Sequence, residues 1–258
     1  MFDARSVFAR QTGKIAATVA VSAWLCAGQV MAMEPGTLRE SLFGARPSAA
    51  DQRTTLPVAR YVSQEGDVFV LDRSQPRALL KFDDSPEVWV LRPQPAPRGD
   101  IIYMNDLGEP LLRATRLGGL TLFTPDRPAG TAVALAGGGS AIRLAQLGPQ
   151  QLLERLAQAS ARATRAAHHL IPFEADASPG SSAITADAAM IAAEAVIRMA
   201  RRTDAKTLLA KIGKIRLVEG RRSQAVLQKG IIQITVAPAD GLAGRPSSDR
   251  VMAAAVGR

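Results

Sequence analysis

The sequence is poor in the residues on which most site chemistry depends. It holds one cysteine, Cys26, and two histidines, His168 and His169. One cysteine excludes an internal disulfide, and with so few thiols and imidazoles a four-ligand zinc centre cannot be assembled. Adjacent helical residues project about 100° apart, so His168 and His169 do not converge on one ion. No metal site and no cofactor are expected. Aromatic residues make up only 4% of the chain, which argues against a base-stacking surface and hence against a nucleic-acid partner. Arginine is plentiful, 26 against 6 lysines, but an Ala- and Arg-rich composition reads as codon bias and is no evidence for nucleic-acid binding. The longest strongly apolar run, Ile15–Ala27, is shorter than the ~20 residues a spanning helix needs.

That run has a different use. Arg5, Arg10 and Lys14 precede it, and Val30-Met31-Ala32 follows with small-to-medium residues at the −3 and −1 positions. A positive end, an apolar stretch and a cleavable site are the order of a Sec-type secretory signal. Leu25 before Cys26 does not suit lipidation. Cleavage near Ala32 leaves a mature chain with no cysteine and no transmembrane anchor, in the periplasm or secreted. Its length suffices to bury a core without disulfides.

Residues 33–56 read as a linker. Residues 57–145 alternate short apolar runs with turn chemistry at Gln64-Glu65-Gly66, Asp83-Asp84-Ser85-Pro86 and Asn105-Asp106-Leu107-Gly108. The spacing predicts strands over 58–62, 67–71, 78–82, 87–91, 101–104, 111–115, 120–123 and 131–135. Gly118-Gly119 reads as a two-residue hairpin turn. The prolines at 93, 95 and 97 exclude a central strand there, since each removes a ladder donor. From 146 to 239 the period becomes helical. Pro149 opens one helix, 171–184 reads as a loop, Thr185 caps a second helix to Arg202, a third covers about 204–212, and a closing hairpin or three-stranded unit follows with a turn at Lys229-Gly230. Residues 240–258 read as a flexible tail. The fold class is α+β: an antiparallel β meander, sandwich or small barrel, then two to three helices and a closing β-hairpin, with both regions in one domain.

Charge is uneven. Residues 33–145 balance, whereas 146–258 carry 16 basic and 9 acidic residues. Arg198, Arg201, Arg202, Lys206, Lys211, Lys214, Arg216, Arg221, Arg222 and Lys229 concentrate that excess. They are candidates for an anionic envelope component or an acidic protein, which a cationic face attracts over about 8 Å at physiological salt. A solvated surface accounts for them equally.

Catalytic signals are thin. Gly137-Gly138-Gly139-Ser140 offers a serine, but no G-x-S-x-G elbow surrounds it, and Ser140 with His168 or His169 is the one hydrolase constellation available. Asp83-Asp84 and Asn105/Asp106/Glu109 coincide with turns, where such residues bond their own backbone. Trp89, Tyr103 and Phe123 lie on predicted strands, filling a core or lining a pocket in a closed barrel.

The stretches Val70-Leu71-Asp72-Arg73-Ser74, Pro86-Glu87-Val88-Trp89-Val90-Leu91, Arg98–Gly108 and Leu112–Phe123 resemble a small family of exported alphaproteobacterial proteins described only as a domain of unknown function. The resemblance implies an exported setting and supplies no catalytic residues. The expected role is a non-enzymatic envelope protein that binds or scaffolds through the basic face. The alternatives are a hydrolase with an unrecognised site and a small-ligand-binding β-barrel. The exported form should begin at Met33, which N-terminal sequencing and intact mass of protein recovered outside the cytoplasm check; a chain that keeps Cys26 overturns it.

Overall fold

The computed structural model describes residues 56–257. The expected secretory leader, the expected cleavage site at Ala32 and all but the last residue of the expected 33–56 linker lie outside the described residues. Eight strands come first: β1 (Val58–Ser63), β2 (Val68–Asp72), β3 (Ala78–Phe82), β4 (Val88–Pro95), β5 (Ile101–Met104), β6 (Pro110–Ala114), β7 (Leu120–Thr124) and β8 (Arg127–Gly138). Each pairs with the next, and β8 returns antiparallel to β1, so the sheet closes into a barrel. Of the expected β architectures, the small barrel is the one formed.

One turn is used three times to build it. Ser63–Asp67, Asn105–Glu109 and Thr115–Gly119 share a pattern of Ser, Asn or Thr, two residues, Gly, and one more. The first N–H donates to the fifth carbonyl at 2.8, 2.9 and 2.8 Å. The fifth N–H donates back to the first side-chain oxygen at 3.0, 2.9 and 2.9 Å. The fourth residue has φ of 95°, 83° and 90° (Gly66, Gly108, Gly118), where a Cβ is strained. This is a three-residue loop with a glycine bulge. It corrects the two-residue reading of Gly118-Gly119: the side-chain bond from Thr115 sets a longer closure.

Alternation then sorts the strands. Phe69, Leu71, Leu80, Leu91, Leu112 and Leu122 have no exposed surface and fill the barrel with Tyr61, Trp89 and Tyr103. Tyr61 stacks on Phe69 with centroids 5.6 Å apart. Each such side chain contributes about 1.5–3 kcal/mol by leaving water. On the outer face, Leu79, Val88 and Val90 are also apolar and wholly or partly covered.

The proline stretch is no central strand, as expected: β4 runs through Pro93 and Pro95, but there it pairs with β5 alone. Val88–Leu91 pair with β3, and Arg92–Pro95 pair with β5. The Ala96 N–H donates to Asp100 O at 2.9 Å. By alternation Arg92 and Gln94 aim at β5, and the proline nitrogens face the side β3 has already left. No ladder bond is forfeited.

The second layer holds α1 (Pro149–Ala167), β9 (Phe173–Asp176), α2 (Ser182–Ala200), α3 (Ala205–Leu209), β10 (Lys214–Glu219), β11 (Gln224–Gln228), β12 (Ile231–Val236) and α4 (Ser248–Val256). The sheet order is β11-β12-β10-β9, with β10 parallel to both β12 and β9. The closing hairpin is therefore part of a mixed four-stranded sheet. Its fourth strand, β9, falls in the segment read as a loop: Phe173-Glu174-Ala175-Asp176 is short and half polar, and only pairing with β10 makes it a strand. Ile215, Leu217, Ile232 and Ile234 face the helices. Ala159 and Ala163 of α1 meet the alanine-rich face of α2 in the same core, and Arg162 bridges to Glu194 at 2.9 Å.

Thr185 does not cap α2. The helix starts at Ser182, and the Thr185 hydroxyl is buried without a partner. Glu219 serves that end instead, accepting from the Ser178 N–H and from Ser181 Oγ at 2.5 Å; the Ser178 bond foremost holds its carboxyl below the usual range. The flexible tail is likewise corrected. Residues 238–244 form 3-10 turns and α4 follows, with Val251 and Ala255 buried over α2 and β11. Its alanines carry little periodic signal and become core only because a surface is there to cover.

Gly130 (φ 86°) has Thr121 Cγ2 at 2.5 Å and Phe123 Cε1 at 2.8 Å from where a Cβ would stand. Gly130→Ala combines strain with overpacking and should cost about 2–3 kcal/mol in urea unfolding; a loss under 0.5 kcal/mol contradicts that reading.

Candidate functional site

Ser247 is the N-cap of α4, its Oγ accepting from the Arg250 N–H at 3.1 Å. The same hydroxyl donates to Asp106 Oδ1 at 2.5 Å, and the Ser247 N–H reaches Asp106 Oδ2 at 3.0 Å. Ser248 gives its N–H and Oγ–H to the two oxygens of Glu87 at 2.9 and 2.5 Å, and its oxygen accepts from Arg198 Nη1 at 2.5 Å. Arg198 also pairs with Asp249 at 2.8 Å, and Asn105 Nδ2 reaches Asp249 at 3.3 Å. Arg245, 5% exposed, binds Asp187 through Nε and donates to Val88 O at 2.8 Å. The chain from 245 to 250 thus ties two barrel turns to α2. Burial pushes the Glu87 carboxyl up against the opposing charges of Arg245 and Arg198 and the Ser248 bonds, and burial likewise raises Asp249.

Beside this strap, barrel and second layer enclose a cleft of about 270 Å³. Its lining includes Arg77, Trp89, Val90 and Arg92 from the barrel, Ser223–Val226 from β11 and its lead, and Arg250. A second hollow of about 510 Å³ continues from it, sharing Arg77, Val90 and Ala243 and adding Arg143. Arg245 and Arg250 are occupied, the latter by the Asp106 carbonyl and carboxylate. Arg77 and Arg92 are not. The β3–β4 ladder ends at the pair Ala78 and Leu91; Arg77 and Arg92 flank that pair, and both line the cleft. Among the described residues neither has an acidic partner. Two such arginines in one cleft make its field positive.

The residues singled out from sequence fall elsewhere. Arg198 turns inward to Ser248 and Asp249. Arg202 pairs with Asp204 and Lys214 with Glu174. Arg201, Lys206 and Lys211 lie near the start of β10, and Arg221 and Arg222 just past its end. The six residues of β10, with Arg216 between, separate the two groups by roughly 20 Å. Lys229 occupies a turn. Ser140 lines a hollow outside the barrel with Arg60 and Asp83. His168 terminates α1 at φ 58°, and His169 bridges the carbonyls of Ala167 and Ile212 at 3.1 and 3.0 Å. No hydrogen bond joins Ser140 to either histidine among the described residues. Asn105 and Asp106 close a turn and hold the strap, and no cluster of three or more His, Cys, Asp or Glu suited to a metal is present among the described residues. Arg77 and Arg92, fifteen positions apart, carried no sequence signal; only the folded cleft brings them together.

Fold and cleft together define a closed β-barrel fused to an α/β layer, with a cationic cleft between them. The chain belongs to the family described as a domain of unknown function (DUF4908), whose model matches residues 37–255. No curated protein and no solved structure matches the chain. No helix among the described residues is long and apolar enough to cross a membrane.

Because Glu87 holds its proton to higher pH folded than unfolded, the stability it contributes is greatest at acid pH and declines as pH rises through its folded-state value. Glu87→Gln keeps the bond from the Ser248 N–H and reverses the other, its amide N–H donating to Ser248 Oγ, and should remove that decline, seen as a wild-type-minus-variant stability that falls with rising pH. Glu87→Ala strands the Ser248 donors and should cost about 3 kcal/mol. A pH-independent difference for Glu87→Gln contradicts the assignment.

Proposed function

We propose that the protein is an exported, non-enzymatic binding protein of the cell envelope that takes an anionic partner in the cleft between barrel and α/β layer. The observation that carries this is that Arg77 and Arg92, neither with an acidic partner among the described residues, line the same cleft. Guanidinium groups bind carboxylate or phosphate through paired N–H donors, and Arg77 and Arg92 are both exposed and so reachable by an anion. The binding role rests also on what the cleft offers: guanidinium, amide and hydroxyl groups, with its one carboxylate, Asp106, engaged by Ser247 and Arg250. The barrel supports the cleft from outside its own packed interior. The cations at Arg201, Arg202, Arg221 and Arg222, divided between two ends of β10, support solubility better than one face. Export is carried by the leader pattern alone.

The chain has two tryptophans, Trp24 and Trp89, so Trp24→Phe leaves one indole, inside the barrel on the strand whose outer face walls the cleft. Citrate is the probe. Its addition should change Trp89 emission saturably, with an affinity that falls as NaCl rises. Arg77→Ala with Arg92→Ala should weaken it about tenfold or more, while replacing Arg201, Arg202, Arg221 and Arg222 by Glu leaves it within about threefold. No citrate response, or one the cleft variant shares, sinks the proposal.

A further inference from the structure

β11 has a free edge, since it pairs with β12 alone. Lys229 (φ 48°) and Gly230 (φ 80°) form the two-residue turn of this hairpin, and Gln228 and Ile231 are its closing pair. The closing pair of such a hairpin exchanges both backbone bonds. By alternation Gln228, Val226 and Gln224 aim their backbone groups at β12, and Leu227 and Ala225 turn theirs to the open edge. The cleft lining runs through Ala225 and its neighbours. An unpaired strand edge and two arginines without an acidic partner among the described residues therefore open onto the same space.

We infer that the anionic partner is an extended acidic polypeptide segment that adds as a strand to the open edge of β11, its carboxylates meeting Arg77 and Arg92; this rests on the cleft being the binding site. Main-chain bonds to an exposed edge give affinity and alternate side chains give selectivity. Side chains of a strand project alternately to two sides. An alternating acidic and apolar segment suits a lining that has arginines together with Val90 and Ala243. A small anion satisfies the arginines and leaves the edge of Ala225 unpaired.

The probe is a blocked pentapeptide of alternating glutamate and valine, with citrate as the anion that has no backbone. Two further copies carry N-methyl groups on the glutamates or on the valines. One phase only can face β11, so one copy should lose about tenfold in affinity while the other retains it. Ala225→Pro removes an edge donor without touching the β11–β12 ladder and should lower peptide binding about tenfold; the methylated peptides decide the matter if that variant misfolds. Equal binding of all three peptides overturns strand addition and leaves the anion cleft standing. Failure of peptide and citrate alike overturns both. Dimerisation in sedimentation, abolished by Ala225→Pro, assigns the edge to a second copy and overturns the acidic-segment proposal.

Discussion

Residues 245–250 hold the two halves of the chain to each other through buried polar groups. Arg245 is almost wholly out of water and meets Asp187 of α2 and the Val88 carbonyl of the barrel. Glu87 is equally buried and is satisfied by Ser248. Buried charges of this kind contribute little net stability when paired and cost several kcal/mol when a partner is lost. Their effect is to make one arrangement of barrel and α/β layer acceptable and slipped ones expensive. The cleft exists because that arrangement is fixed: its two walls come from different layers, and the strap closes one side.

The barrel supplies the rigid wall. Its interior is occupied by its own leucines and aromatics, so the cleft lies against its outer surface, where Val90, Arg92 and Arg77 line it. Asp72 joins the rest of that surface by accepting from Ser74 at 2.6 and 2.8 Å and from the Ile142 N–H at 2.8 Å. Burial raises its carboxyl, and these bonds with the Arg143 charge more than offset it, leaving it below its usual range. The segment after β8 is thereby pinned along the barrel, where Ile142 and Arg143 line the hollow that extends the cleft.

Local pattern carried much of the fold. Strand positions and α1 follow from apolar periodicity, and the turns from Gly and side-chain oxygens at fixed offsets. Pro93 and Pro95 are tolerated because β4 changes neighbours between Leu91 and Arg92. Misreadings occurred where a local rule met a non-local fact. β9 is a strand because β10 lies beside it. Residues 248–256 are a helix in the core because α2 and β11 offer a face. The site was less legible than the fold. The basic residues from Arg198 to Lys229 form a cluster in sequence but are partly spent on Asp204, Asp249 and Glu174, while the two arginines that share the cleft lie apart in sequence.

By itself the sequence determined composition-level limits, the alternating strands, the repeated Gly-bulge turns and the helix periods, because these depend on bond geometry and on neighbours within a few residues. Closure of the barrel, the parallel pairing of β9 and β12 with β10, the burial of Arg245 and Glu87 and the meeting of Arg77 with Arg92 were decided by tertiary structure. Each depends on which surfaces, far apart along the chain, exclude water together, and no local pattern encodes that.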